Sequence, residues 1–486
     1  MHTPDIKDML LPRRSTLKDA LALIDKNAQG ICFITDKNNK LLGILTDGDI
    51  RRCILNGTTL DTEVDRIMQV KYTSLPVTTP QEVMQGKLSH EIRHIPLVDE
   101  LGVIVDYACF SRMHRTPIAQ PLLNGNELVY LSDCIKTGWI SSQGAYVRRF
   151  EKEFAAYCSA QYPVAVSNGT VALHLALAAF DIKAGDEVIV PDLTFAASIN
   201  AIIYTGATPV LVDVDRTTWT ISVSDIEKNI TPRTRAIMPV HLYGHPSHMD
   251  EIMALPKKHD LLVIEDAAEA IGGKYKGKHV GSFGDAATFS FFGNKTITTG
   301  EGGMVFFKDK KAYEKAVILR DHGMSKEKKY WHDHVGFNYR MTNMQAAIGC
   351  AQLERIDEFV AAKKKLAGFY DKALLETGNF VIPPQESWAV NGYWLYTAIL
   401  KEKSNLSRDL LMEKMLKNGV ETRPAFYPLH QMPPYRDFPT KSSFENSSHI
   451  SAQGISFPSS VNITEEELDN IAQALHSIFQ NHHISA

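Results

Sequence analysis

Three short stretches carry side chains whose chemistry goes beyond packing. The first is Phe289-Ser290-Phe291-Phe292-Gly293-Asn294-Lys295, an aromatic run patterned as a strand (Ala287 to Phe292) that ends in a Gly-Asn turn and presents one lysine. A lysine at the mouth of a buried strand loses hydration, which lowers its pKa towards the neutral amine. The neutral amine is the form that attacks a carbonyl to make a Schiff base. The second stretch, Leu261 to Glu269, places Asp266 where an all-apolar strand runs out and Glu269 one helical turn further on. A carboxylate in that position needs a cationic or hydrogen-bonding partner. The third, Ser167-Asn168-Gly169-Thr170, ends one strand and starts an apolar helix, Val171 to Phe180. Free N–H groups and the positive end of the helix dipole make such a junction an anion site.

Each stretch has a plainer reading: Lys295 as a solvated loop lysine, Asp266 as a helix cap, S-N-G-T as ordinary capping. Their order along the chain argues for the chemical one. Asp192-Leu-Thr-Phe195 adds an aromatic at the end of the strand Glu187–Pro191, able to lie flat on a heteroaromatic ring, although alone Phe195 reads as core. A phosphate cup, a ring face, a carboxylate, then Ser290 to hydrogen-bond phosphate and an amine together suit pyridoxal 5'-phosphate (PLP). Asp266 would keep the pyridine nitrogen protonated, so that the ring acts as an electron sink, and Glu269 would reach the phenolic oxygen.

The elements that must position these groups alternate strand and helix. Strand-like runs fall at Pro163–Ser167, Glu187–Pro191, Pro209–Val214, Ala236–Leu242, Leu261–Glu265, Ala287–Phe292 and Met304–Phe307. They predict an α/β fold with a seven-stranded, mostly parallel sheet covered on both faces. Leu128 to Ile135 and Val147 to Tyr157 read as helices, and Gln345 to Val360 as one long helix. Strand-like Tyr393–Leu400 and a helix from Ser407 to Leu416 suggest a smaller C-terminal α+β domain.

The front of the chain is built differently. Helix Leu17–Ile24, strand Ile31–Thr35, a turn, strand Leu41–Leu45 and helix Ile50–Leu55 form one unit. A weaker copy follows, with a helix near Gln81–Leu88 and strands Ile95–Val98 and Val103–Tyr107. The repeat resembles a CBS-domain pair, which implies an α+β module with a regulatory nucleotide contacted by Thr46 and Asp49 at the start of the last helix. An N-capped helix with a solvated acidic turn explains Thr46 and Asp49 equally well. The second copy departs from the pattern, reading Ala108-Cys109-Phe110-Ser111 where Thr-x-x-Asp is expected. Arg115 to Pro121, with two prolines, reads as a linker. The expected domains are 1–115 (CBS pair), 116–377 (large domain) and 378–486 (small domain).

From about residue 117 onwards the chain resembles the DegT/DnrJ/EryC1 family of sugar-nucleotide aminotransferases, which have the fold of type I PLP enzymes. The motifs are S-N-G-T (167–170), P-D-L-T-F (191–195), V-H-L-Y-G (240–244), E-D-A-A-E-A (265–270), F-S-F-F-G-N-K (289–295), R-D-H-G (320–323) and G-F-N-Y-R-M-T-N-M-Q-A-A (336–347). The resemblance implies that Lys295 is the amine joined to the cofactor, that Asp266 pairs with its ring nitrogen and that Phe195 stacks on the ring. Gly169, Thr170 and Ser290 would hold the phosphate. Asn338 would reach the phosphate in a neighbouring subunit and Arg340 the substrate across the same interface, making a homodimer the smallest active unit. His322, Tyr243 and His430 are candidates to line the sugar pocket, each as readily a packed core or rim side chain. Within the family, F-F-G-N-K-T-I-T-T-G-E-G-G-M with Glu269 is most similar to perosamine synthases, which implies amination of C4 of GDP-4-keto-6-deoxy-mannose with L-glutamate as donor. The rivals are an aminotransferase for a UDP-4-keto-6-deoxy-hexosamine and, from another class, a nucleotide-sensing regulator with an inactive enzyme domain. Intact Lys295 and Asp266 speak against the latter. A sugar dehydratase of the family would carry histidine at Lys295, and no G-x-G-x-x-G supports a nicotinamide enzyme.

Composition narrows the class further. The chain has 486 residues, enough for several domains, with 44% hydrophobic and 22% charged residues. A net charge of -4 argues against a general nucleic-acid binder. The six cysteines form no C-x-x-C pair, so neither a zinc site nor a disulfide framework is expected. With no cationic leader and no long apolar run, the chain is expected to be cytoplasmic and away from membranes.

Overall fold

The computed structural model describes residues 5–89, 92–109 and 115–483. The chain divides into two compact units, residues 1–116 with 416–419, and residues 117–415 with 420–486. No helix among the described residues is long and apolar enough to cross a membrane.

The first unit is built on two three-stranded sheets. Helix Leu17–Asn27 starts at a capping box in which Thr16 and Asp19 satisfy each other's backbone N–H groups. Strands Ile31–Thr35 and Leu41–Thr46 pair antiparallel, and helix Asp47–Leu55 follows. The second copy supplies helix Gln81–Lys87 and the antiparallel pair His94–Val98 and Ile104–Cys109. Backbone bonds from Leu41 N–H to Gly102 O and from Ile104 N–H to Asn39 O stitch the copies together. Ile31, Phe33, Leu41, Ile104 and Tyr107 share one core across them. The departure at Ala108-Cys109-Phe110-Ser111 runs past Cys109 into positions outside the described residues.

In the second unit, seven strands form the sheet: β1 Pro163–Val166, β2 Glu187–Pro191, β3 Thr208–Val212, β4 Thr234–Ile237, β5 Leu262–Asp266, β6 Ala286–Ser290 and β7 Gly303–Phe307. Their order is β1-β7-β6-β5-β4-β2-β3. All neighbours are parallel except β7, which runs antiparallel between β1 and β6. The expected mostly parallel sheet is therefore present. One face packs on Val166, Leu175, Val190 and Ile264, the other on Phe150, Phe154, Phe289 and Phe306. In the aromatic run the alternation of a strand is plain: Phe289 and Phe291 meet Phe154 edge-on at 5.1 Å each, while Phe292 is exposed. A four-stranded sheet with helices Ile356–Thr377, Arg408–Lys417 and Glu465–His483 carries its own core further along the chain.

Three expectations need adjusting. The strand expected over Ala236–Leu242 stops at Ile237, because Pro239 has no N–H to give a ladder and Tyr243 turns into the left-handed region. The long helix is two, Asn343–Leu353 and Ile356–Thr377. At the break Glu354 is held by Asn126, Tyr130 and Arg149, while Arg355 pairs with Glu358. The linker is not free either: Ile118 is buried, its N–H donates to Glu421 and its carbonyl accepts from Ser459.

Helix Asn343–Leu353 packs closely against helix Ala145–Cys158 through Gly349, where an added Cβ would lie 2.8 Å from Phe150 Cζ and 2.9 Å from Thr299 Cγ2. Gly349→Val should therefore cost about 1–3 kcal/mol in urea denaturation through overpacking; stability equal to wild type would contradict this packing.

Candidate active site

Parallel strands end on the same side of a sheet, and that side gathers the candidate residues. Asp266 ends β5, and its register partner on β6 is Thr288, two residues before Ser290. The Gly-Asn turn after β6 closes with Lys295 N–H donating to the Phe292 carbonyl, which carries the lysine back over the strand ends.

Asp266 is buried, accepting at Oδ2 from the Ser198 hydroxyl (2.8 Å) and at Oδ1 from Ala268 N–H (3.1 Å). Burial pushes its pKa up, with the Ser198 and Ala268 bonds and the Lys295 charge only partly opposing it. Glu269 is also buried and accepts from Tyr243 N–H at 2.8 Å. Burial raises it from 4.5 to about 7 against the pull of Lys295. The Lys295 amine lies 3.9 Å from Glu269 Oε1, and burial lowers its pKa although both carboxylates favour the ammonium. The desolvated lysine expected from the sequence is what the fold produces.

The anion cup is equally well defined. Asn168 caps helix Gly169–Ala179 by accepting from Val171 N–H at 3.0 Å. Among the described residues, the N–H groups of Gly169 and Thr170 donate to no protein acceptor. Ser290 closes over the helix start: a Cβ on residue 169 would stand 2.8 Å from Ser290 Cβ and 3.1 Å from its Oγ. Only glycine lets the strand end come this close. Phe195, after β2, is 59% exposed, with its ring 5.9 Å from Phe426.

Asn338, Arg340 and His322 form a second cluster. Arg340 donates to Asn338 Oδ1 from Nε (3.2 Å) and Nη2 (3.0 Å), approaches His322 Nε2 at 3.1 Å and pairs with Asp321 at 2.8 Å. Among the described residues, no hydrogen bond or ion pair joins it to Lys295, Asp266 or Glu269. Its backbone nevertheless joins the anion cup, since Ser167 N–H donates to the Tyr339 carbonyl and Val166 bridges to Arg340. In the first unit, Thr46 and Asp49 close a capping box. Asp49 accepts at Oδ2 from Thr46 and at Oδ1 from Arg52 (2.7 Å) and Gln69 (3.2 Å), so a ribose hydroxyl would have to displace one of these donors.

Several residues that shape the site escaped the sequence reading. Trp394 lies under the Lys295 amine, 3.5 Å from ring centroid to nitrogen. Glu265, fully buried, accepts from His241 and from the N–H groups of Gly281, Phe283 and Gly284. Burial pushes its pKa up, but His241 and these donors outweigh it and leave the pKa low. Of the pocket candidates named from the sequence, His430 is the partner of buried Asp192, at 2.7 Å, and Tyr243 packs against both Trp394 and Phe426. Lys363 is buried behind the site. Its signal was present, because it falls on the apolar face of its helix with Phe359 and Ala367 at spacings of four.

Residues 121–476 match the model of the DegT/DnrJ/EryC1/StrS aminotransferase family. The chain belongs to this family. Residues 5–56 match a CBS domain. GDP-perosamine synthases from Caulobacter vibrioides and Escherichia coli O157:H7 are each 48% identical, over 76% of this chain and 99% and 100% of their own lengths. A crystallographic aminotransferase from Psychrobacter cryohalolentis superposes with a TM-score of 0.71 at 33% identity, covering 75% of this chain and 99% of that one. The chain is thus a PLP-dependent sugar aminotransferase, as the motifs implied, with a further N-terminal unit beyond the length of the synthases.

The residues present fit PLP. A glycine-built cup with free N–H groups suits its phosphate, and a buried carboxylate held by neutral donors suits a protonated ring nitrogen.

Glu269 binds its proton more tightly in the folded chain than when unfolded. Its contribution to stability is complete below about pH 4.5 and is lost as the pH rises through about 7. In the cofactor-free protein, the unfolding free energy of wild type relative to Glu269→Gln should therefore fall across that window; a difference independent of pH would contradict the burial of this acid.

Proposed function

We propose that the chain transfers the amino group of L-glutamate to C4 of GDP-4-keto-6-deoxy-mannose, giving GDP-perosamine and 2-oxoglutarate. The observation that carries this reading is the buried Lys295 amine beside Glu269 and near Asp266, in a chain 48% identical to GDP-perosamine synthases along their whole length. Gly169 and Thr170 N–H and the Ser290 hydroxyl would take the phosphate, Asp266 the ring nitrogen, Glu269 the phenolic oxygen and Phe195 one ring face. When bound, PLP supplies an electron sink that makes the hydrogen next to an amino group acidic.

The chain's own part is to position groups and move protons. Lys295, whose pKa burial lowers towards the neutral amine, withdraws the proton from the α-carbon of glutamate in one half-reaction and delivers a proton to a single face of C4 of the sugar in the other. Asp266 holds negative charge in place without water to screen it. Tyr243 holds Glu269 by donating its backbone N–H to Oε2, with Oε1 standing 3.9 Å from the amine.

Asn338, Arg340 and His322 would serve the site of a second subunit. Exposed Leu128, Val129, Ile135, Trp139 and Ile140 supply an apolar face for that subunit to cover, which supports a homodimer. None of the six cysteines is in a disulfide, which supports work in the reducing cytoplasm. A regulatory nucleotide would sit at Thr46 and Asp49 of the N-terminal unit.

Lys295→Arg should keep the positive charge yet lose the visible absorbance of the PLP-loaded protein, and lower turnover by about 10²–10⁴-fold or more. An unchanged spectrum would end the assignment. Half-reactions of the amino-loaded enzyme with a panel of keto-sugars should run fastest with GDP-4-keto-6-deoxy-mannose. A preference for a UDP-linked 4-keto-6-deoxy-hexosamine would replace this substrate by its rival.

A further inference from the structure

The surroundings of the Lys295 amine are unusual for a buried cation. It reaches no carboxylate at hydrogen-bond distance and donates to no protein acceptor among the described residues. Instead it lies 3.5 Å from the centre of the Trp394 ring, nearer than its 3.9 Å to Glu269. A cation at that distance over an indole is attracted by the negative face of the ring.

Trp394 is held there from three directions. Its indole N–H donates to the Asn294 carbonyl at 2.9 Å, tying the ring to the residue before the lysine. Tyr243 at 6.4 Å and Phe426 at 6.3 Å, whose own rings are 5.3 Å apart, pack against it together. Its own carbonyl accepts from Lys363 Nζ at 2.9 Å, and the same ammonium donates to the Ser459 carbonyl. Lys363 is 3% exposed. A buried lysine whose bonds go to two backbone carbonyls, one of them that of Trp394, fixes the backbone that presents the indole.

We propose that the face of Trp394 is the station of the Lys295 amine whenever it is not joined to the cofactor, and that Trp394 is a positioning residue favouring the ammonium between the two proton transfers. This rests on the role given to Lys295 above. The physical advantage is specific: a carboxylate at bonding distance would stabilise the ammonium and also be able to take its proton, whereas a ring face stabilises the charge and cannot accept the proton. Within each half-reaction the proton then stays on the lysine from the moment it leaves one carbon until the next carbon takes it.

The charged groups that face the amine come from three elements. Asp266 at the end of β5 and Glu269 after it favour the ammonium, and Lys363 on helix Ile356–Thr377 opposes it across a shared cavity of about 10 Å³. The phenol of Tyr243 is kept protonated by burial and adds no charge. Replacing the indole by leucine changes the charge of none of these groups.

The full-length protein, freed of cofactor, is mixed with limiting PLP between about pH 6 and about pH 10, and the initial rate of appearance of the visible band is recorded. The rate follows the neutral fraction of Lys295, because only the neutral amine condenses with the aldehyde and releases water. In Trp394→Leu the acid limb should move to lower pH by about half to one unit, the loss expected for a buried cation–π contact. Trp394→Phe should move it less in the same direction, and it carries the test if circular dichroism shows the leucine variant unfolded. Limbs that coincide with wild type, or move to higher pH, overturn the proposal. If wild type forms no lysine-linked band, the role of Lys295 falls and takes this inference with it; if wild type forms the band and the variants titrate like it, this inference alone falls.

Discussion

The structure depends on holding one amine out of water beside two acids that are also out of water. Each of the three groups resists its charge when buried, so none can be placed without fixing the others. Lys295, Asp266 and Glu269 sit at the ends of neighbouring strands because β5 and β6 run parallel and in register there, Asp266 opposite Thr288. The rest of the large sheet keeps that edge still. Glu265, next to Asp266 and fully buried, accepts four bonds from His241 and the turn that leads into β6. A negative charge satisfied so completely acts as a rivet between β5 and the β6 turn, and it costs little only because every lone pair is used.

The same logic explains the glycines of the cup. An anion site needs bare N–H groups, and these require a helix that starts against a strand end with nothing between them. Gly169 allows Ser290 to close in, so the hydroxyl and the helix start face one anion. Groups suited to phosphate, ring and amine are then divided among three strand ends, with the aromatic cluster of Phe426, Tyr243 and Trp394 beside the amine.

What could be read in the sequence was what repeats locally. Strand and helix periods located six of the seven strands to within a few residues and overran the fourth by five, and the ordered motifs pointed to Lys295, Asp266, Glu269, Gly169 and Ser290 as the groups to examine. What could not be read depends on residues far apart in the chain. Nothing near Glu354 announces that Asn126, Tyr130 and Arg149 hold it and break the expected helix. Trp394 lies a hundred residues from the lysine it underlies and reads as one more aromatic in a strand. Lys363 sits in a run of three lysines of which only the first faces inward. His430 had the chemistry of a pocket residue, but a buried aspartate from another strand end claimed it.

Two lysines, Lys363 buried and Lys295 largely enclosed, therefore border one cavity, and desolvation brings the pKa of both down, Lys363 to about 7. Only one is placed to be the reactive amine, since Lys363 spends its protons on the carbonyls of Trp394 and Ser459. Borohydride reduction of the PLP-loaded full-length protein, followed by peptide mapping in a mass spectrometer, separates them directly. The account predicts the pyridoxyl mass on the peptide carrying Lys295 and none on that carrying Lys363; label on Lys363, or on neither, would contradict it.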